Sequence, residues 1–194
     1  MIIMNNNISF KMNIKPISQQ EFANIVLPIG KNRHVGFPWT VKQSVLDTDA
    51  FTTYVLDCTS LGFTDGVKVL LMHLCPSMVE NNDIKQIFQY IEKKLKQFNL
   101  KSLQSFIIGS QTTSDGKSEN LHNGLVDFLK NKKVPFSQFK RGTDMINAAY
   151  SSKTDTLYLS SREITNNTRC EKLPKDIIRD MFEEYHISEL DEII

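Results

Sequence analysis

The stretch Cys58-Thr-Ser-Leu-Gly-Phe-Thr-Asp65-Gly66-Val-Lys-Val-Leu-Leu-Met-His73 contains two strand-like runs on either side of an Asp-Gly pair. Asp-Gly between such runs favours a two-residue type I′ turn, so we predict a tight antiparallel hairpin. If these two residues form the turn, the register places Cys58 opposite His73. Opposed residues share a face of the sheet, with Cβ atoms about 4.5–5.5 Å apart. A slip of one residue would place them on opposite faces.

This arrangement is typical of a catalytic thiol and its base. A cysteine becomes a strong nucleophile at neutral pH when a neighbouring imidazole takes its proton. The thiolate attacks an acyl carbon, and backbone N–H groups at Cys58 and Thr59 are the candidate donors to the oxyanion. We expect both side chains at an accessible surface, where a substrate can reach them. The spacing alone leaves open a structural alternative, in which a small buried cysteine accompanies a core histidine.

A third residue would have to hold the imidazole of His73 in one tautomer and one orientation. Thr52 is our candidate, because it lies six residues before Cys58 and an even spacing in a continuous strand turns both side chains to one face. Its hydroxyl or its backbone carbonyl could accept a hydrogen bond from the second ring nitrogen. Asp57 is a rival because it carries charge, but strand alternation turns it away from Cys58.

The remaining cysteines and histidines are weaker candidates. The chain has three cysteines, an odd and small number that argues against a disulfide scaffold and favours a reducing compartment. Cys75 shares a strand face with His73 and, with Cys58, could suggest zinc. The spacing matches no common zinc pattern and no fourth ligand is evident, so we predict no metal site. We expect the other histidines at the surface: His34, His122 and His186.

Composition narrows the class of protein. A chain of 194 residues fits one domain with its own core. Lys plus Arg is 23 and Asp plus Glu is 22, a net charge of +1, so nothing indicates a nucleic acid as partner. The longest apolar run, around 69–74, is too short to span a membrane, and the N-terminus lacks the features of a secretory signal. We therefore expect a soluble protein.

Hydrophobic periodicity predicts strands and helices along a single domain, residues 1–194. Besides the hairpin, the predicted strands are 8–15, 51–56, 103–108, 134–139, 147–151 and 156–160. The predicted helices are 18–26, with Ser18 and Glu21 as a capping box, 82–98, 118–130, capped by Ser118, and 174–185. Because hairpins predominate, we predict an α/β fold of the α+β type, with a mixed, largely antiparallel sheet and packed helices.

The array Thr52, Cys58 and His73 resembles the Thr/Cys/His constellation of the cysteine-dependent glutamine deamidases. This family includes the bacterial chemoreceptor deamidase CheD and the catalytic domains of the cytotoxic necrotizing factor and Burkholderia lethal factor toxins. The order of elements after His73 is also similar to CheD: a helix, a strand ending at Gly109, a loop, a helix, a short strand and a closing hairpin. The resemblance implies a CheD-like deamidase fold.

The resemblance spans residues 50–160, which it implies form the deamidase-like core. Residues 1–45 and 165–194 are additional segments, and they could recognise a bulky target. This favours a toxin or effector, delivered into a host cytosol without a standard signal peptide, over a cytoplasmic chemoreceptor deamidase of the CheD type.

The resemblance also implies roles for the three residues. Cys58 would attack the side-chain carboxamide of a glutamine in a partner protein, His73 would take the thiol proton and pass it to departing ammonia, and Thr52 would orient His73. Backbone N–H groups at Cys58 and Thr59 would hold the oxyanion. No cofactor and no metal are implied. We expect a monomer whose partner is its protein substrate, without nucleic-acid binding or membrane insertion.

Other interpretations of the same residues stay open. The fold could serve as an inactive protein-binding module, with Asp57 marking a disabled site. Transamidation, in which an amine replaces water, would use the same dyad. A peptidase is a further alternative, which a small hairpin site makes less attractive.

Overall fold

The described part of the chain contains eleven strands and three α-helices. The computed structural model describes residues 3–4, 12–35, 44–55, 58–76, 83–109, 116–140 and 146–161. The strands are β1 (Ile3–Met4), β2 (Asn13–Pro16), β3 (His34–Val35), β4 (Ser44–Asp47), β5 (Asp49–Val55), β6 (Thr59–Thr64), β7 (Val69–Leu74), β8 (Gln104–Gly109), β9 (Phe136–Lys140), β10 (Ile146–Ser151) and β11 (Thr156–Ser161). The helices are α1 (Gln19–Ile29), α2 (Asp83–Leu95) and α3 (Lys117–Asn131), with a 3₁₀ turn at Lys31–Arg33.

The strands form two sheets that pack face to face. Sheet I has six strands in the order β1-β9-β8-β6-β7-β4, and sheet II has five in the order β2-β11-β10-β5-β3. Parallel pairs are β8/β9 in sheet I and β2/β11 and β3/β5 in sheet II, and the other pairs are antiparallel. The predicted α/β class with mixed, largely antiparallel pairing is confirmed. The sequence predicted one sheet, whereas the strands divide between two.

Three buried clusters define the layers. Ile91 of α2 packs with Leu61 of β6, so α2 and α3 cover one face of sheet I. The other face meets sheet II, where Phe106 of β8 and Tyr150 of β10 share a second cluster. Phe22 of α1 packs on the outer face of sheet II. Because β6 and β7 are covered on both sides, every residue in them is buried, which explains why the hairpin strands lack a polar face.

The hairpin of β6 and β7 has a longer loop than the sequence predicted. Thr64 pairs with Val69, so the loop is 65–68 and the predicted two-residue turn at Asp65 and Gly66 is wrong. The Asp65 carboxylate accounts for the difference, because its Oδ1 accepts hydrogen bonds from two N–H groups inside the loop at 3.0 and 3.1 Å. The register is therefore shifted by two residues. An even shift keeps every side chain on its predicted face.

Two helix starts were predicted from capping residues, and one of them is confirmed. The hydroxyl of Ser18 accepts from the Glu21 N–H at 3.2 Å, and the Glu21 carboxylate accepts from the Ser18 N–H at 2.8 Å, which is the predicted capping box. The cap assigned to Ser118 is wrong. Gly116, at φ 66, is the N-cap of α3, and Ser118 is a buried residue within the helix.

The predicted strands at 51–56, 103–108, 134–139, 147–151 and 156–160 correspond to β5, β8, β9, β10 and β11. Of the predicted strand at 8–15, the structure describes the end, which forms β2. The predicted helix at 174–185 and the whole additional segment 165–194 lie outside the described residues.

The N-terminal segment completes both sheets rather than lying apart from the 50–160 core. Strand β2 pairs with β11, and β3 pairs with β5, at the two edges of sheet II. Strand β1 pairs with β9 at an edge of sheet I. Helix α1 covers Phe51 and Ala149 of sheet II through Phe22 and Val26. The described parts of this segment therefore contribute to the folded core.

Candidate active site

Thr52 and His73 meet in the space between the two sheets. Thr52 belongs to β5 of sheet II and His73 to β7 of sheet I, and Oγ1 of Thr52 lies 2.8 Å from Nδ1 of His73. This is the contact that the sequence predicted, but the reason given for it was wrong. Strand β5 ends at Val55, and β6 belongs to the other sheet, so Thr52 and Cys58 do not share a continuous strand.

Cys58 lies diagonal to His73 rather than opposite it. In the β6–β7 ladder His73 pairs with Ser60, and Thr59 pairs with Leu74, so Cys58 comes one residue before the first pair. Residues 58 and 60 differ by two, so alternation gives Cys58 the inner face that Ser60 shares with His73. Diagonal neighbours have Cβ atoms roughly 7–8 Å apart or somewhat less, a gap that a long side chain such as imidazole can cross.

Both members of the dyad are buried. Cys58 is 5% exposed and His73 is 3% exposed, so the expectation that they meet at an open surface is wrong. Thr52 and Ser60 are fully buried beside them. A substrate side chain would have to reach Cys58 from its end of the β6–β7 ladder.

Burial sets the charge state of the imidazole. Removal from water disfavours the charged form and lowers the pKa of His73 to about 4. The side chain is therefore neutral at pH 7 and can accept a proton. A neutral imidazole carries one N–H and one lone pair, and the Thr52 hydroxyl can accept from the first or donate to the second.

His34 is a second histidine of this region and was wrongly predicted at the surface. It begins β3 and is half-buried, with its ring 4.8 Å from that of Phe51. Its Nε2 lies 3.0 Å from Oγ1 of Thr53, the neighbour of Thr52. Burial, and to a smaller extent the proximity of His73, lower the pKa of His34 to about 4.

A β-bulge interrupts β5 directly after Thr52. Ala148 of β10 pairs with Thr52, and Ile146 pairs with Val55, so β5 carries one extra residue between these pairs. A bulge bends the strand and changes the direction of its side chains. The sequence has no glycine or proline at this point, so nothing in it indicates the bulge.

Ser60 is a site residue that the sequence analysis missed. It is the true partner of His73 in the ladder, and its hydroxyl donates to the carbonyl oxygen of Met72 at 3.1 Å. This bond ties the Ser60 hydroxyl to the backbone of β7. Ser60 would have been found from the sequence if the loop length had been known, because the register alone identifies it.

Gly109 fixes the backbone around Cys58. It ends β8, pairs with Thr59 and has φ +129, a conformation that residues with a side chain rarely adopt. A Cβ atom at this position would lie 2.5 Å from the carbonyl oxygen of Cys58. Only glycine therefore lets β8 approach Cys58 this closely.

The two candidate oxyanion donors differ in their surroundings. Thr59 is fully buried and has strand partners on both sides, Leu74 and Gly109. A residue in the middle of an antiparallel sheet directs its N–H to one of its partners. Cys58 comes one residue before the first of these pairs.

Of three other predicted residues, the structure places one. His122 was expected at the surface, but it is fully buried in α3 and contacts Gln138 of β9 through Nε2. His186 and Asp57 lie outside the described residues. Among the residues that the structure describes, no group of three or more His, Cys, Asp or Glu side chains is arranged to hold a metal ion.

Comparisons with known proteins add no family assignment. No family model matches this sequence. No curated protein matches it either. Among the described helices, none is long and apolar enough to cross a membrane.

Proposed function

We propose that this protein is a cysteine-dependent deamidase that converts a glutamine side chain of a target protein to glutamate. The observation that carries the proposal is the 2.8 Å contact between Thr52 Oγ1 and His73 Nδ1, made across two sheets. A hydroxyl beside one ring nitrogen orients the imidazole, and an orienting group behind a base is what nucleophilic catalysis requires. The resemblance to the glutamine deamidases supports the choice of substrate.

The catalytic cycle begins with proton transfer. With its hydrogen on Nδ1, His73 donates to Thr52 and holds a lone pair on Nε2. This nitrogen takes the proton of the Cys58 thiol as sulfur attacks the carboxamide carbon of the glutamine. The negative charge that develops on the amide oxygen is stabilised by the N–H of Cys58.

Breakdown of the tetrahedral species releases ammonia. The imidazolium of His73 gives its proton to the departing nitrogen and so acts as the general acid. The remaining thioester is hydrolysed by water, which His73 activates as a base. The products are glutamate and the regenerated Cys58 thiol, and the target gains one negative charge.

The biological setting that we propose is a toxin or effector acting on a host protein. A chemoreceptor deamidase similar to CheD is the alternative setting. The proposed partner is therefore a protein, and the reaction needs neither a metal nor a cofactor. A soluble, reducing compartment keeps the Cys58 thiol available.

One observation favours a second candidate, an inactive protein-binding module on the same fold. Cys58 and His73 are 5% and 3% exposed, which is also expected of a buried structural pair. In that case Thr52 and His73 would hold the two sheets together without chemistry.

Co-expression with a host proteome tests the proposal. The full chain and its variants Cys58→Ser, His73→Gln and Cys170→Ser are expressed in yeast cells. Glutamine-to-glutamate conversion is then sought in all peptides by mass spectrometry. We expect at least one glutamine converted by the wild type and by Cys170→Ser, but not by Cys58→Ser or His73→Gln. Equal conversion by all four proteins would contradict the proposal, as would conversion by none of them.

A further inference from the structure

Cys75 is the cysteine that the proposed chemistry leaves unused. It follows β7 directly and is half-buried. Thr59 pairs with Leu74 at the end of the β6–β7 ladder, so the same register, continued by one residue, places Cys75 opposite Cys58. Both belong to the face that carries His73, since Cys75 lies two residues after His73.

The Cα spacing expected for this pairing is compatible with a disulfide, and the Cβ atoms, about 4.5–5.5 Å apart in opposed residues, would have to close by about 1 Å. Opposed residues in antiparallel strands have Cα atoms about 4.5–5.5 Å apart. Disulfides join cysteines whose Cα atoms are usually about 4.4–6.8 Å apart, with Cβ atoms about 3.5–4.5 Å apart. We propose that Cys58 and Cys75 form a reversible disulfide, in which Cys75 captures an external disulfide and Cys58 resolves the mixed disulfide.

The difference in burial between the two thiols suggests the order of steps. Cys75 is half-buried and Cys58 is 5% exposed, so a small disulfide such as oxidised glutathione meets Cys75 first. The Cys75 thiolate attacks one glutathione sulfur, forms a mixed disulfide and releases one glutathione thiolate. The Cys58 thiolate then attacks the Cys75 sulfur and releases the second glutathione thiolate. Two protein thiols are oxidised, and one glutathione disulfide is reduced to two thiols.

The regulatory meaning of this disulfide rests on the proposed function. A Cys58 sulfur bonded to Cys75 cannot attack an amide, so the enzyme would be inactive in an oxidising medium and active after reduction. This behaviour suits a protein that crosses an oxidising space before it reaches a reducing cytosol. The disulfide itself does not depend on any deamidase activity.

Peptide mapping under native conditions tests the inference. The folded protein is equilibrated with reduced and oxidised glutathione, acid-quenched and digested with trypsin without reduction. Cleavage after Lys42, Lys68 and Lys85 separates Cys58 (residues 43–68) from Cys75 (residues 69–85). We expect these two peptides to be joined. The effective concentration of one protein thiol at the other, measured against glutathione, should be at least ~10-fold higher in the folded protein than in guanidinium. A flexible unfolded chain supplies only about millimolar values.

Variants separate this inference from the proposed function. Cys170→Ser should leave the cross-link unchanged, whereas Cys75→Ser should abolish it. Folded wild-type protein that gains glutathione at Cys75 without the cross-link would overturn the inference, as would an effective concentration no higher than in guanidinium. A cross-link in a protein that converts no glutamine would support the disulfide and contradict the deamidase. A cross-linked protein that retains full deamidase activity would overturn the proposed regulation by the disulfide.

Discussion

The hydroxyl of Thr52 lies 2.8 Å from Nδ1 of His73, although the two residues belong to different sheets. Such a contact links the packing of the sheets to the state of one imidazole. If the sheets separate, His73 loses the hydroxyl that orients its ring. The stability of the interface and the proposed basicity of His73 should therefore change together when Thr52 is replaced.

Replacement of Thr52 by valine tests this link. Valine keeps the shape of threonine but lacks the hydroxyl, so Nδ1 of His73 loses this hydrogen bond in a buried site. The loss should cost about 1–3 kcal/mol in the free energy of unfolding. We expect the alkylation rate of Cys58 to fall about 10-fold, a fraction of what a general base contributes. Urea denaturation and peptide-resolved alkylation measure the two effects.

Thr53→Val is the matched control for that variant. It removes the neighbouring hydroxyl, which contacts His34 rather than His73. The alkylation rate of Cys58 should stay at the wild-type level in Thr53→Val and largely return in Thr52→Ser. A wild-type rate in Thr52→Val would show that the threonine has no part in positioning His73.

Gly109→Ala should disturb the nucleophile through the backbone. The new Cβ would lie 2.5 Å from the Cys58 carbonyl oxygen at φ +129, so the strand end must move. We expect a loss of about 2–4 kcal/mol in the free energy of unfolding and a slower alkylation of Cys58, from backbone strain and the clash together. Thermal and urea unfolding provide the measurement.

Gly116→Ala separates strain from contact in this experiment. Gly116 also has positive φ, +66, but nothing lies within 4 Å of the position of its Cβ. Its replacement should cost only about 1–2 kcal/mol and leave Cys58 unaffected. Equal losses in the two variants would mean that the approach of β8 to Cys58 is not a constraint.

Acid should destabilise the protein through His73 and His34, whose pKa burial lowers. The folded-state pKa of both His73 and His34 is lowered to about 4, below the ordinary 6.5, so the neutral forms are favoured by folding. Their stabilising effect is complete above about pH 6.5 and is lost as the pH falls towards 4, because the unfolded chain binds protons first. For His73 the loss should be on the order of 2–3 kcal/mol.

Urea unfolding at a series of pH values measures this effect. In His73→Gln the decline in unfolding free energy between pH 6.5 and 4 should become shallower, with the remainder due to His34. The comparison uses the slope of the unfolding free energy against pH, because a pH-independent loss of stability from the substitution does not change that slope. A slope identical to that of the wild type would contradict the burial of a neutral His73.

The sequence predicted the class of fold and most elements, because hydrophobic periodicity depends on local residues. The capping box of Ser18 and Glu21 and the strand at 51–56 are of this kind. The division into two sheets was not predictable in this way. The division depends on which strands pair across long separations in the sequence. A strand covered on both faces shows the same apolar pattern whether the strands form one sheet or two.

The site was predicted in part, and each error has a physical cause. The face shared by Cys58 and His73 was correct, since a register shift of two residues preserves it. The loop length was wrong because a side-chain carboxylate, Asp65, stabilised a wider turn. His34 and His122 were misplaced because burial of a polar residue depends on tertiary packing, which single-sequence patterns do not contain.

The rate at which iodoacetamide modifies Cys58 tests the central claim, that His73 activates this thiol. The rate is measured at pH 7 on the tryptic peptide 43–68, with Cys170 as the internal reference. We predict that His73→Gln lowers the rate at Cys58 at least ~10-fold and leaves Cys170 unchanged, since a general base contributes this much or more. If wild type and His73→Gln react at Cys58 at the same rate, the proposed dyad is contradicted.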